Sequence, residues 1–131
     1  MNATTRTLVP ATVALTAILV ATGSPAMAKD KDGRVTASGS CTSATWKLKA
    51  SPEDGRLEVE GEIDSNKAGQ TWWWSLNQNG TRIANSKATT AGRSGSFEVR
   101  KATGNKLGTD TFVFTARRSG TKVVCRGVVR I

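Results

Sequence analysis

From Arg56 to Asp64 the chain reads RLEVEGEID, with Leu57, Val59, Gly61 and Ile63 at one parity and Glu58, Glu60, Glu62 and Asp64 at the other. An unbroken period of two sorts apolar from charged residues only on a β-strand; on a helix the same residues would scatter around the axis. Helical periodicity is missing, and the alternation recurs in short runs. Residues 42–50 set Trp46, Leu48 and Ala50 against Lys47 and Lys49. Residues 96–101 turn Phe97 and Val99 inward, 109–117 do so with Phe112, Phe114 and Ala116, and 122–131 with Val123, Cys125, Gly127, Val129 and Ile131. Thr71–Gln78 and Thr81–Thr89 flank Asn79-Gly80, a two-residue hairpin signal, because both positions tolerate positive φ. Residues 34–38 form a weaker first strand, and 51–55 (SPEDG) read as a turn.

About seven strands of this kind predict an all-β, two-sheet antiparallel sandwich of immunoglobulin-like type. The N-terminus is expected to stand outside it. One positive side chain, Arg6, precedes an apolar run over 8–21, followed by Ala26-Met27-Ala28 and then by the charged Lys29-Asp30-Lys31-Asp32. This is the layout of a secretory signal peptide, residues 1–28, cut after Ala28. The run is short for a membrane span. The expected product is therefore a single secreted domain, residues 29–131, with no transmembrane segment and monomeric.

Cys41 and Cys125 are the only cysteines, and in an exported chain two cysteines most simply form one disulfide. Closing so long a loop stabilises by at most about 4–5 kcal/mol in the chain-entropy picture. The sequence has no His and no Tyr. Ser-His-Asp and Cys-His chemistry and the common zinc sites are thereby excluded, and no cofactor is expected.

The tryptophan-bearing strand, the Asn-Gly hairpin and the late Gly108-Thr109-Asp110-Thr111-Phe112-Val113-Phe114 run together resemble immunoglobulin-like and fibronectin-type sandwiches. More narrowly, Cys41, Trp46-Lys47-Leu48-Lys49, Gly55-Arg56-Leu57-Glu58-Val59, Gly69-Gln70-Thr71-Trp72, Gly108-Thr109-Asp110 and Cys125-Arg126-Gly127 resemble small exported proteins of actinomycete bacteria. The resemblance implies a fold and, by analogy with the wider class, a binding role; it carries no catalytic residue. The cysteines lie near the first and last strands rather than at the antibody positions. The disulfide is accordingly expected to staple the N-terminal edge to the C-terminal strand.

Three features bear on function. The first is the ladder Glu58, Glu60, Glu62, Asp64. With Leu48 set opposite Val59, Lys49 would face Glu58 and Lys47 would face Glu60, a neutralised surface rather than a catalytic pair. Glu62 and Asp64 would be left without partners, at most a weak calcium contact. The second is charge. Residues 29–80 carry 7 cations and 8 anions, whereas residues 81–131 carry 11 cations and 2 anions. Such a half favours acidic partners, although it also serves solubility.

The third is TWWWSLN, residues 71–77. Trp72, Trp74 and Leu76 share one parity and are expected in the core, which turns Trp73 outward. If this strand and those of 109–117 and 122–131 share a sheet, its outer surface gathers Trp73 with Arg117, Lys122, Arg126 and Arg130. Either these side chains bind an anionic cell-wall polymer or polysaccharide, or Arg117 or Arg126 simply lies over Trp73 and covers it. The expected function is a secreted, non-catalytic binding module. The alternatives are an interaction partner or inhibitor of another secreted protein, acting through loop 88–96 or 101–108, a structural protein without a ligand, or, least favoured, a small hydrolase.

Overall fold

The computed structural model describes residues 25–131. Most of the expected leader lies outside the described residues. Among the described residues there are nine strands and no helix: β1 (Ala26–Lys29), β2 (Val35–Cys41), β3 (Ala44–Glu53), β4 (Arg56–Asp64), β5 (Thr71–Gln78), β6 (Thr81–Thr89), β7 (Ser96–Gly104), β8 (Thr111–Arg118) and β9 (Val124–Arg130). They form a five-stranded sheet in the order β1-β2-β3-β4-β7 and a four-stranded sheet in the order β6-β5-β8-β9, with every pairing antiparallel. The chain crosses between sheets after β4, β6 and β7. This is the immunoglobulin-like sandwich that the turn spacing predicts. The expected disulfide is present, joining Cys41 at the end of β2 to Cys125 on β9. It therefore bridges the two sheets along one side of the sandwich.

The core follows the parity of the sequence. Trp46, Leu48 and Ala50 from β3, Leu57, Val59 and Ile63 from β4, and Phe97 from β7 are buried against Trp72 and Leu76 from β5 and Phe112, Phe114 and Ala116 from β8. Glycine makes the interdigitation possible at two points. A Cβ at Gly127 on β9 would stand 2.5 Å from Trp46 Cζ3, and one at Gly61 on β4 would stand 2.9 Å from Phe114 Cδ2. Each large ring thus enters the space left by a missing side chain on the opposite sheet, which accounts for glycine at two inward positions.

The structure corrects three local expectations. Residues 51–55 are not one turn: β3 runs on to Glu53, and only Asp54 and Gly55, both at positive φ, make the reversal. Asp-Gly is the same hairpin signal as Asn79-Gly80, whose two residues also have positive φ. The shorter turn moves the register, so Leu48 faces Gly61, Lys49 faces Glu60 and Lys47 faces Glu62. Second, β7 continues to Gly104, which shortens the loop expected at 101–108 to residues 105–110. Third, nine strands form rather than about seven. The weak run at 34–38 becomes the full strand β2, and β1, which has no alternating signature, pairs with it through Ala26 to Lys29.

One buried polar cluster ties the end of the sandwich together. Asp110 is fully buried just before β8. Its Oδ1 accepts from Gln78 Nε2 at 2.9 Å and Asn79 Nδ2 at 2.8 Å, and its Oδ2 accepts from the Lys106 amide at 2.9 Å. Gln78 in turn donates to the Gly104 carbonyl and accepts from Thr103 Oγ1. The β5–β6 hairpin, the loop after β7 and the start of β8 are all fixed to one carboxylate.

Candidate functional site

Trp72 and Leu76 are each 1% exposed, so β5 is locked in register by two core anchors and Trp73 must point the other way. It is 55% exposed. Trp74 shares the parity of Trp72 but is only half-buried, packed against the rim of the core rather than within it. Its ladder neighbour on β6 is the exposed Ser86, so the sandwich is thinly covered at that edge.

Because β5 lies between β6 and β8, Trp73 has a neighbour on each side: Lys87 on β6 and Arg117 on β8. The ring is approached by Lys87, whose Nζ lies 5.5 Å from its centroid, within cation–π range. The expectation that Arg117 or Arg126 covers Trp73 is corrected accordingly. The cause is a β-bulge. The Asn79-Gly80 turn pairs Gln78 with Thr81 and Asn77 with Arg82, but the register then shifts and Leu76 pairs with Ala84. Had the ladder continued unshifted, Ile83 would pair with Leu76 and Trp73 would face Ser86; leaving Ile83 unpaired brings Lys87 opposite Trp73 instead. A bulge of this kind reverses the parity of everything beyond it and has no residue signature of its own when no glycine marks it.

The same ladder places the other predicted residues. Arg126 on β9 stands opposite Thr115, and Arg130 opposite Thr111, towards the far end of the strand. Lys122 is exposed but lies in the β8–β9 turn, outside the ladder. Trp73 and Arg117 are therefore direct neighbours, Arg126 is on the same face one row along, and Lys122 and Arg130 mark opposite ends. Sequence reasoning missed Lys87, Arg82 and Asn85. A shallow depression of about 180 Å³ beside Trp73 is lined by Trp73, Trp74, Ser75, Arg82, Asn85, Thr115 and Arg117.

The electrostatics of the two outer faces are opposed. Every described carboxylate except the buried Asp110 belongs to the five-stranded sheet or its turns. Among the described residues no salt bridge involves Arg82, Lys87, Arg117, Arg126 or Arg130. On the acidic face, by contrast, Glu60 is buried and paired with both Lys49 and Arg100. Arg100 also reaches Glu58 at 3.3 Å and Glu98 at 3.1 Å. The hydrogen bond it donates to Glu98, and then the charge of Glu60, hold its guanidinium above the ordinary arginine pKa. Of the carboxylate ladder, Glu58 and Glu60 are thus tied up in ion pairs, and among the described residues Glu62 and Asp64 make none. Glu62 faces both Lys47 and Glu98 across the ladder.

A larger hollow, about 400 Å³, lies on that acidic side between Ser38, Ser40, Lys47, Glu62 and Asp64. Asp64 Oδ1 already accepts from the Asn66 amide at 3.0 Å, so one of its two carboxylates serves the following turn. Among the described residues no three His, Cys, Asp or Glu side chains converge as a metal-binding group would need. Nor is any described helix long and apolar enough to cross a membrane. No protein-family model matches the chain, and neither a curated protein nor a solved structure matches it.

Proposed function

We propose that the protein is an exported, non-catalytic β-sandwich that binds an anionic or carbohydrate surface at the cell exterior through the outer face of β6-β5-β8-β9. One observation carries this reading: a tryptophan 55% exposed on an inner strand of a sheet face that bears cations and no carboxylate. Trp73 offers a flat apolar plane, and Lys87, Arg117 and Arg126 supply attraction to acidic groups. The Cys41–Cys125 disulfide supports residence in an oxidising compartment, where such surfaces are met.

The test is retention on purified cell wall. The intact domain is expected to be retained at low salt and released at about 1 M salt, where the screening length falls to ~3 Å. Trp73→Ala is expected to keep its melting temperature and lose retention. Salt-insensitive retention, no retention, or unfolding of the Trp73 variant each refutes the reading.

A second reading rests on Leu107, whose side chain is fully exposed in the loop between β7 and β8. The adjoining Lys106 amide is fixed to Asp110, so the loop offers an apolar side chain from an anchored base. This suits contact with another secreted protein. Co-purification of such a partner with the wild type and not with Leu107→Ser would favour it.

A further inference from the structure

We infer that the depression beside Trp73 receives one acidic sugar unit of a longer polysaccharide, a pyranose ring bearing a carboxylate; the inference rests on the surface-binding reading above. Three features of the site select this chemistry. The first is size. A hollow of about 180 Å³ is smaller than the ~300–1,000 Å³ in which proteins enclose free small ligands. It can hold one unit of a polymer whose remainder runs across the sheet.

The second is unspent hydrogen-bonding capacity. Ser75, Asn85 and Thr115 line the depression, and among the described residues their side chains make no hydrogen bond to the protein. Two hydroxyls and an amide in one hollow fit a ligand carrying several hydroxyl groups. The third is the pairing of charge with an aromatic wall. Arg82 and Arg117 line the same hollow without a carboxylate partner, and a guanidinium takes a carboxylate through two parallel hydrogen bonds. The C–H face of a pyranose fits the plane of Trp73. Lys87 lies over that ring on a flexible stem, so its ammonium can move aside and pair with the incoming acid.

Each simpler ligand leaves part of this arrangement unused. A neutral glycan gives the guanidinium groups nothing to neutralise, and a ring-free polyanion gives Trp73 nothing to stack on.

The experiment compares polygalacturonate, dextran and inorganic polyphosphate by titration against the intact domain, with Trp73→Ala, Arg117→Gln and Thr115→Val alongside. Polygalacturonate is expected to bind, weakening about tenfold in Trp73→Ala and about as much in Arg117→Gln. Thr115→Val is expected to weaken polygalacturonate alone. Dextran is expected not to bind, and polyphosphate to bind more weakly with no dependence on Trp73. Polyphosphate equal to polygalacturonate, with both insensitive to Trp73→Ala, overturns the sugar assignment and leaves general anion binding standing. Dextran equal to polygalacturonate overturns the requirement for acid. Absence of polygalacturonate binding overturns the inference outright; wall retention in that case shows that the broader reading survives it.

Discussion

Asp110 is the side chain whose loss should be felt furthest from its own position. Burial alone pushes its carboxyl pKa up, but the bonds from Gln78, the Lys106 amide and Asn79 outweigh that, and the net shift is downward. Hydrogen bonds to a charged acceptor contribute about 1.5–3 kcal/mol each. They will not be lost in full in Asp110→Ala, because Gln78 Nε2 keeps its bond to Gly104 and the exposed Asn79 can turn to water. A cost of about 3–4 kcal/mol is expected, which lowers the melting temperature of a domain of this size by roughly 12–25 °C. Asp110→Asn should cost about 2 kcal/mol, since an amide nitrogen must then face one of the three donors. The pH dependence separates charge from shape. A depressed carboxyl stabilises the fold fully above its unfolded pKa of about 3.9, and that contribution is lost as pH falls through the lower folded value. Urea titrations of wild type and Asp110→Asn should therefore show a gap that is largest at neutral pH and closes in acid. A gap that does not change with pH, or an Ala variant within about 1 kcal/mol of wild type, would refute the assignment of Asp110 as the charged anchor of this end.

Gly127→Ala places a methyl group against Trp46, which is also confined by Gly39, where a Cβ would stand 2.8 Å from Cζ2; about 2–3 kcal/mol of destabilisation by chemical denaturation is expected. A chain beginning at Lys29 loses three of the four β1 pairs, but every β1 side chain is exposed, so its melting temperature should match that of a chain beginning at Pro25 to within the effect of about 1 kcal/mol. Glu60→Gln unpairs Lys49 and Arg100, and because both cations are partly solvated the cost should be only about 1 kcal/mol. Glu62→Gln removes a repulsion from the facing Glu98 together with an attraction to the facing Lys47, so the two offset and the change should be close to neutral in the same assay.

What was legible in the sequence is whatever a period of two can carry. The inward positions of β3, β4, β8 and β9, including Gly61 and Gly127, follow from alternation, as does the exposure of Trp73 once Trp72 and Leu76 are taken as anchors. Register across a hairpin is a different kind of quantity, since it depends on the length of the turn. Reading 51–55 as the turn rather than Asp54-Gly55 alone displaced Lys49 from Glu60 by two positions. The tie between Asp110 and Gln78 was out of reach for another reason: the residues are 32 apart in the chain, and a buried Asp and a buried Gln carry no mark of each other in sequence. β1 was illegible because AMAK neither alternates nor buries anything; it is a strand only because the β2 edge offers it backbone partners.

The arrangement around Trp73 also bears on whether that ring needs a partner at all. Its position does not require an indole. The outward parity of β5 is imposed by Trp72 and Leu76, and Ser75 and Asn77 occupy the equivalent positions further along the strand. Self-cover would explain an outward indole if its neighbours hid it. The cation over the ring is a single lysine, and Trp73 remains 55% exposed with that lysine in place. Arg117, the other ladder neighbour, lines the adjacent hollow and is itself exposed. A solvated basic surface made for solubility would disperse its charge and would need no aromatic plane at the centre. Here the plane, two unpaired guanidinium groups and three unbonded neutral polar side chains share one depression. Lys87 and Asn85 are placed on this face by the register of β6 beyond the bulge at Ile83, and both are exposed, so Lys87→Ala combined with Asn85→Ala removes the β6 contribution without touching β5 or β8 and should weaken ligand binding. If such a variant folds and still holds its ligand as tightly, the β6 side of the site contributes nothing and recognition belongs to β5 and β8 alone.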